Sequence, residues 1–212
     1  MTFPRFIPPC SPTAASKPPT GERWTHEVKW DGFRFQIAKV GRDVRLFSRN
    51  GVDWTERMPA IAAAFARLPA RVAQVDGELG LCDVDGRPDF RALMRAARQR
   101  PVDETRLSFH AFDLLQLNAA DLKPKPLTER RRRLVDLVHR LDEAVPVLYL
   151  PDAFTSGDEL LAMCAKMRLE GIVSKRLDRP YVSGPTRDWV KVKCAAWKEE
   201  NRWRAEVFEK TR

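Results

Sequence analysis

No stretch of this chain approaches the roughly 20 consecutive apolar residues that a membrane span needs. Cysteine is sparse and scattered: Cys10, Cys82, Cys164 and Cys194 form no C-x-x-C pair, and no histidine stands at ligand spacing from them. That pattern excludes a structural zinc site and a disulfide framework, and it implies a reducing, cytoplasmic compartment. No strand-like run leads into a Gly-x-Gly-x-x-Gly turn, and no Walker loop is present, which excludes Rossmann and P-loop nucleotide sites. The first 20 residues contain Pro4, Pro8, Pro9, Pro12, Pro18 and Pro19 but no apolar core, so they do not form a secretory signal. Internal repeats and long low-complexity linkers are also missing.

What the chain does have is positive charge. Its 38 Lys and Arg outnumber 29 Asp and Glu, for a net charge of +9. This balance points to a polyanionic partner such as nucleic acid, although basic charge is shared by many unrelated proteins. At 212 residues and 43% hydrophobic content, the chain is long enough for one substantial core.

Hydrophobic periods alternate between two and 3.6 along the sequence. Period-two runs predict strands over 25–30, 33–40, 43–48, 72–82, 107–117, 171–175 and 188–194. Helical periods predict helices over 54–68, 88–100, 128–141, 156–169 and 195–210. Consecutive strands joined by short turns imply antiparallel sheets flanked by helices, an α+β class. The expected organisation is an extended Pro-rich lead-in over 1–22, one catalytic unit over 23–194, and a C-terminal helix over 195–212 packed on it.

The densest chemistry lies in Glu27-Val28-Lys29-Trp30-Asp31-Gly32-Phe33-Arg34. Strand alternation puts Glu27 and Lys29 on one face, and Asp31-Gly32 is a turn dipeptide, so the unit predicts a hairpin. A lysine at a strand–turn junction with an arginine across the turn is placed to attack a phosphate. The same octapeptide also suits an ordinary charged surface hairpin.

Four further segments add function-bearing groups. Asp76-Gly77-Glu78 interrupts an apolar strand, where carboxylates are costly unless they meet a cation or a ligand hydroxyl. Phe112-Asp113 interrupts another. Glu170 precedes the short strand that ends at Lys175, and Lys191 and Lys193 share one strand face. Each alone reads equally as an edge charge or a turn cap. Together they supply a nucleophile, carboxylates, an aromatic platform and a phosphate clamp, which is the equipment for nucleotidyl transfer.

Lys29-x-Asp31-Gly32-x-Arg34, Ser48-Arg49-Asn50-Gly51, Asp76-Gly77-Glu78, Phe112-Asp113, Glu170-Gly171-Ile172-Val173-Ser174-Lys175 and Lys191-x-Lys193 resemble, in order, the motifs of ATP-dependent DNA ligases. The resemblance is to the adenylation domain, as in the ligase module of bacterial end-joining ligases. It implies an ATP-grasp-like lysine nucleotidyltransferase fold.

It also implies roles. Lys29 would attack the α-phosphate of ATP to give lysyl-AMP. An ordinary lysine, with a pKa near about 10.4, is almost wholly protonated at neutral pH. Neighbouring Arg34, Lys191, Lys193 and Mg²⁺ or Mn²⁺ are expected to lower that value. Lys191 and Lys193 would offset charge on the α-phosphate. Glu27 would accept from the adenine amino group and Phe112 would stack on the ring, with Lys175 in the same nucleotide site. Glu78 would bind the ribose hydroxyl and, with Glu170, a divalent metal. Arg34 and Arg49 would contact AMP and the nick 5′-phosphate. Asp31 and Asp76 keep open roles, hairpin stabilisation serving Asp31 equally well.

The implied activity is sealing of nicked double-stranded DNA in repair, in the bacterial cytoplasm with the nucleoid. The lysine motif is shared with RNA ligases and capping enzymes, so an RNA-directed transferase and a non-catalytic DNA-binding remnant are the alternatives. Complete ligases continue into an OB-fold domain, whereas the 19 residues after Lys193 are too few for one. The expectation is an adenylation domain without an OB fold, slow alone and aided by a separate OB-fold or end-joining repair protein.

Other features carry structural expectations. His26, His110 and His139 need no catalytic role. Glu129-Arg130-Arg131-Arg132-Arg133 predicts a solvated helix face, with a DNA-facing surface as second choice. Trp197, Trp203 and Val207 would pack the last helix onto the domain, with Arg202 and Arg204 free to meet DNA.

Overall fold

The alternating run Phe33–Val40 forms a strand between Asp43–Ser48 and Val72–Leu81. In the computed structural model, which describes residues 3–100, 102–141 and 148–204, these strands belong to the larger of two sheets. In chain order the strands are β1 (Cys10–Ala14), β2 (Trp24–Val28), β3 (Phe33–Val40), β4 (Asp43–Ser48), β5 (Val72–Leu81), β6 (Leu107–Leu117), β7 (Ala120–Asp121), β8 (Leu148–Tyr149), β9 (Gly171–Arg176) and β10 (Gly184–Lys193). The helices are α1 (Pro59–Ala66), α2 (Phe90–Ala96), α3 (Leu127–His139), α4 (Gly157–Lys166) and α5 (Ala195–Glu200). The larger sheet runs β4-β3-β5-β6-β7 with β8 beside β6, and the smaller runs β1-β10-β9-β2. Apart from β1–β10 and β6–β8, the pairings are antiparallel. The class is α+β. No helix among the described residues is long and apolar enough to cross a membrane.

Alternation explains the cores. Phe35, Ile37, Val75, Leu79, Phe109 and Leu114 bury one large cluster with Ile61 and Phe65 of α1 and Leu134 and Leu137 of α3. Leu160 and Cys164 of α4 cover Ile172 and Val192 of the smaller sheet, joined by Trp197 of α5.

Several boundaries differ from expectation for identifiable reasons. The helix expected over 54–68 splits into a 3₁₀ turn, Thr55–Arg57, and α1. Met58 precedes Pro59 and sits at φ −135°, ψ 63°, because a residue before proline is crowded out of the helical region. The helix expected over 88–100 is shorter, starting after Asp89, whose side chain accepts from the Ala92 amide. Ser156 caps α4 in the same way, and Arg168, at φ 56°, ends the helical run before residue 169. The helix expected over 195–210 ends at Glu200, and its last stretch, with Val207, lies outside the described residues. The lead-in is extended but not unpaired: β1 lies parallel to β10, with Cys10 buried.

The expected hairpin does not form. β2 pairs with β9 in the smaller sheet while β3 pairs with β4 and β5 in the larger, so Asp31-Gly32 carries the chain from one sheet to the other. Lys29 prolongs the β2–β9 ladder by donating its amide to the Gly171 carbonyl at 2.8 Å. Gly32 is needed for close approach, since a Cβ there would collide with the Leu79 carbonyl oxygen.

The basic run of α3 is also not simply a solvated face. Leu127, Arg130, Leu134 and Leu137 recur at helical spacing on the buried side. Arg130 is fully buried and grips the equally buried Asp113 of β6 through Nε at 2.7 Å and a terminal nitrogen at 2.8 Å. It also donates to the Lys125 and Arg179 carbonyls. Arg132 and Arg133 form surface pairs with Asp136 and Glu129. Removing one partner of a buried pair strands the other charge, so Arg130→Ala should lose about 3–5 kcal/mol of unfolding free energy. Urea denaturation followed by circular dichroism measures this; an unchanged midpoint would show that the pair contributes nothing to stability.

Candidate active site

The crossing of the chain between sheets leaves a cleft of about 920 Å³ lined by Glu27, Lys29, Arg34, Arg49, Glu78, Phe112, Glu170, Lys175, Lys191 and Lys193. These are the ten residues to which the resemblance gives a definite site role. They arrive from seven places: the end of β2, the start of β3, the turn after β4, β5, β6, β9 with the residue before it, and the end of β10.

Glu170 is at the centre. It is 3% exposed, and its two oxygens accept from Lys29 Nζ and Lys193 Nζ, each at 2.8 Å. Burial pushes this carboxyl up, but the two ammonium groups more than offset that and hold it below the ordinary carboxylate range. The expectation that Arg34, Lys191 and Lys193 lower the Lys29 pKa is not met among the protein's own groups. Burial does push Lys29 down, but Glu170, Glu78 and Asp31 together hold it above the ordinary lysine value. Lys191 is the opposite case, lowered by burial and by Lys29, Lys193 and Arg49. Glu78 is pushed up to about 7, chiefly by burial, with Lys29 and Arg34 opposing and Glu170 adding like-charge repulsion.

A second group surrounds Glu27. One of its oxygens accepts from Lys175 Nζ at 2.6 Å and the other from Arg131. Lys175 Nζ lies 4.3 Å from the Phe112 ring centroid and 4.2 Å from that of Trp189, a cation between two aromatic faces. Glu27 is thus already paired, where the sequence suggested a carboxylate free to read a base.

Arg34 lines the cleft with most of its donors committed. It bonds Asp76 at 2.9 and 2.6 Å and the Cys10 carbonyl at 2.7 Å, and Tyr181 donates to Asp76 at 2.7 Å. Asp76, whose role was open, is therefore the anchor of Arg34. Asp31 is not a hairpin cap: Arg204 grips both of its oxygens.

Some lining residues were not foreseen. Trp30 stacks on His110 at 3.9 Å, and His110 stacks on Tyr149 at 5.4 Å. Burial pushes His110 down to about 4, so it stays neutral. His26 bonds Ser174 in the core. Arg131 and Arg204 carry no local signal that separates them from surface arginines, and Trp189 none that separates it from any other core aromatic.

A cluster of three or more metal-ligating side chains is not found among the described residues. Glu78 and Glu170 still fit a hard divalent cation: both offer carboxylate oxygens to the same cleft, and the raised Glu78 carboxyl is one that a nearby cation would favour in its charged form. With Lys29, Arg49, Lys191 and Lys193 beside them, the cleft can hold a polyphosphate and present an amine to it.

Comparison with known proteins agrees with this chemistry. A family model described as ATP dependent DNA ligase domain matches residues 11–193. The multifunctional non-homologous end joining protein LigD of Pseudomonas aeruginosa is 38% identical over 192 residues, covering 91% of this chain and 22% of that protein. A probable DNA ligase of Streptomyces coelicolor is 34% identical over 180 residues, covering 79% of this chain and 34% of that protein. Among solved structures, mycobacterial DNA ligase D complexed with ATP and MES superposes with a TM-score of 0.76 at 30% identity, covering 88% of this chain and 60% of that one. The chain thus spans about a fifth of the length of its end-joining relative.

The opposing influences on Glu78 can be measured. In protein free of divalent ions, its carboxyl should titrate near 7 by carbon NMR. Lys29→Ala removes the largest lowering charge and should move that midpoint upward; an unmoved midpoint would show that the two groups do not interact.

Proposed function

This chain belongs to the ATP-dependent DNA ligase domain family, and we propose that its cleft adenylates Lys29 with ATP and passes the AMP on in sealing 5′-phosphate/3′-OH nicks in duplex DNA. One observation carries the reading: Lys29 is held on Glu170 at 2.8 Å inside a cleft that also presents Arg49, Lys191 and Lys193.

Phe112 stacks on the adenine and Glu27 accepts from its amino group, the second lone pairs of its oxygens remaining for that purpose. Lys175, between Phe112 and Trp189, keeps Glu27 ionised and aimed. Glu78 takes the ribose hydroxyl. Glu78 and Glu170 would hold Mg²⁺ or Mn²⁺, which would supply charge neutralisation at the phosphates.

Lys29 rests as an ammonium on Glu170, and the attacking species is the free amine. Whatever draws the Glu170 charge away from Nζ lowers the Lys29 pKa and frees a proton. Nζ then bonds to the α-phosphorus as the bond to the bridging oxygen breaks, the electron pair leaves with pyrophosphate, and the nitrogen sheds a further proton to solvent to give the phosphoramidate. Lys191 and Lys193 offset charge on the α-phosphate oxygens during this displacement. In the sealing steps Arg49 meets the 5′-phosphate. Arg34, with most of its donors on Asp76 and Cys10, supports the floor under Phe112, 5.1 Å from its ring.

The partners under this reading are nicked double-stranded DNA and a separate OB-fold or end-joining repair protein, in the bacterial cytoplasm with the nucleoid. The net charge of +9 suits the DNA backbone.

Incubation with ATP and Mg²⁺ should add one AMP to the intact mass of the protein. Lys29→Ala should abolish the adduct. Lys29→Arg should abolish it too while keeping a cation beside Glu170, because guanidinium does not deprotonate. A stable adduct in either variant would place the nucleophile elsewhere, and no adduct on the native chain would favour a DNA-binding remnant.

Binding to a nicked DNA duplex should weaken steeply as salt rises, with little preference for base sequence. Fluorescence anisotropy at several salt concentrations tests this. A flat salt dependence contradicts phosphate-led binding, and stronger competition by a nicked RNA duplex would make the enzyme RNA-directed.

A further inference from the structure

Arg204 is the last described residue and lines the same cleft as Lys29. It follows α5, its amide donating to the Asn201 carbonyl at 3.1 Å. Its two terminal nitrogens meet the two oxygens of Asp31 at 2.6 and 2.5 Å, a bidentate fork with both side chains largely shielded from water. The guanidinium carbon lies 4.0 Å from the Phe90 ring centroid and 4.7 Å from that of Trp197, so aromatic faces hold the cation on course.

These contacts form a closed circuit. Lys29 bonds Glu170, Glu170 bonds Lys193, and Lys193 Nζ lies 4.3 Å from the Trp197 ring centroid. Trp197 packs against Arg204, which returns to Asp31, two residues beyond Lys29. The crossing from Lys29 to Gly32 is therefore held at its start by the Gly171 carbonyl and at its end by Arg204. Because β2 and β3 belong to different sheets, no hairpin ladder steadies this crossing, and Arg204 takes that place.

We propose that Arg204 is a positioning residue for the Lys29 reaction: by gripping Asp31 it fixes the crossing that presents the amine, and so makes α5 part of the working site. The inference rests on the reading of Lys29 as the nucleophile. Both terminal nitrogens bond Asp31, so the expected effect is on orientation of the amine, and the KM for ATP tells this from a direct nucleotide contact.

The test is the rate of AMP attachment to the full chain, followed by intact mass over a range of ATP concentrations, with thermal unfolding measured in parallel. Arg204→Ala and Asp31→Asn should each slow attachment at saturating ATP by roughly tenfold or more on the high-pH plateau of the rate profile, where the Asp31 charge beside Lys29 no longer governs protonation, with the KM for ATP nearly unchanged. Arg204→Lys keeps the charge but not the fork and should recover part of the rate. The double variant Asp31→Asn with Arg204→Ala should be no slower than the slower single variant, as two residues acting through one contact require. If Arg204→Ala fails to fold, the near-isosteric Asp31→Asn carries the comparison with Arg204→Lys. A raised KM with an unchanged saturating rate would make Arg204 a nucleotide contact and overturn the positioning role. Full rates in both single variants would overturn it as well while leaving the Lys29 reading intact. Attachment undiminished in Lys29→Ala would overturn that reading and this inference together.

Discussion

A single carboxylate, almost shut off from water, holds the site together: Glu170 shared by Lys29 and Lys193. Its position follows from backbone pairing. β9 runs between β2 and β10, so the residue that precedes it has a lysine-bearing strand on either side. The Glu170 carbonyl accepts from Cys194 and the Gly171 carbonyl from Lys29, which fixes both neighbours at the same level. Gly171 makes this approach feasible. Its φ of 146° and its crowding against the Val192 carbonyl leave no room for a Cβ.

Around this centre each buried carboxylate among the described residues is answered. Glu27 takes Lys175 and Arg131, Asp76 takes Arg34, Asp113 takes Arg130, and Asp31 takes Arg204. Buried pairs of this kind gain little stability over apolar packing, because desolvation offsets most of the attraction. Their use here is geometric. Arg34, anchored on Asp76 within the larger sheet, reaches the Cys10 carbonyl in β1 of the smaller, and Arg131 of α3, a helix packed on the larger sheet, reaches Glu27 in β2 of the smaller, so these arginines link the two halves of the cleft. The cost falls on Lys29, which rests protonated: the same carboxylates that place it also hold its proton.

Much of this was legible in the chain. β3, β4 and β6 begin and end where alternation of apolar residues places them, since a half-buried strand must alternate. Some cleft residues were legible for a related reason: Glu78 and Lys175 interrupt apolar strands, where a charge is costly unless it serves something, and the others were marked by the resemblance of their motifs. Where prediction went astray, a non-local contact had overruled a local preference. Asp31-Gly32 has the composition of a hairpin turn, yet the crossing joins two sheets because β9 claims β2 and β5 claims β3. The Pro-rich lead-in has no strand signal of its own, and β10 makes it one.

By itself the sequence determined the fold class, most of the strands and ten of the residues that line the cleft, because these depend on residue type, short-range spacing and the order of the motifs. Tertiary structure alone decided who partners whom. Arg130 and Arg131 stand side by side on α3 among four consecutive arginines, yet one vanishes into the core on Asp113 and the other reaches Glu27. Nothing local distinguishes them, since the sign of a charge is written in the chain but its partner is set by which strand lies opposite. For the same reason the protonation of Lys29 could not be read from its neighbours in sequence: it is governed by Glu170, 141 residues away along the chain and 2.8 Å away in space.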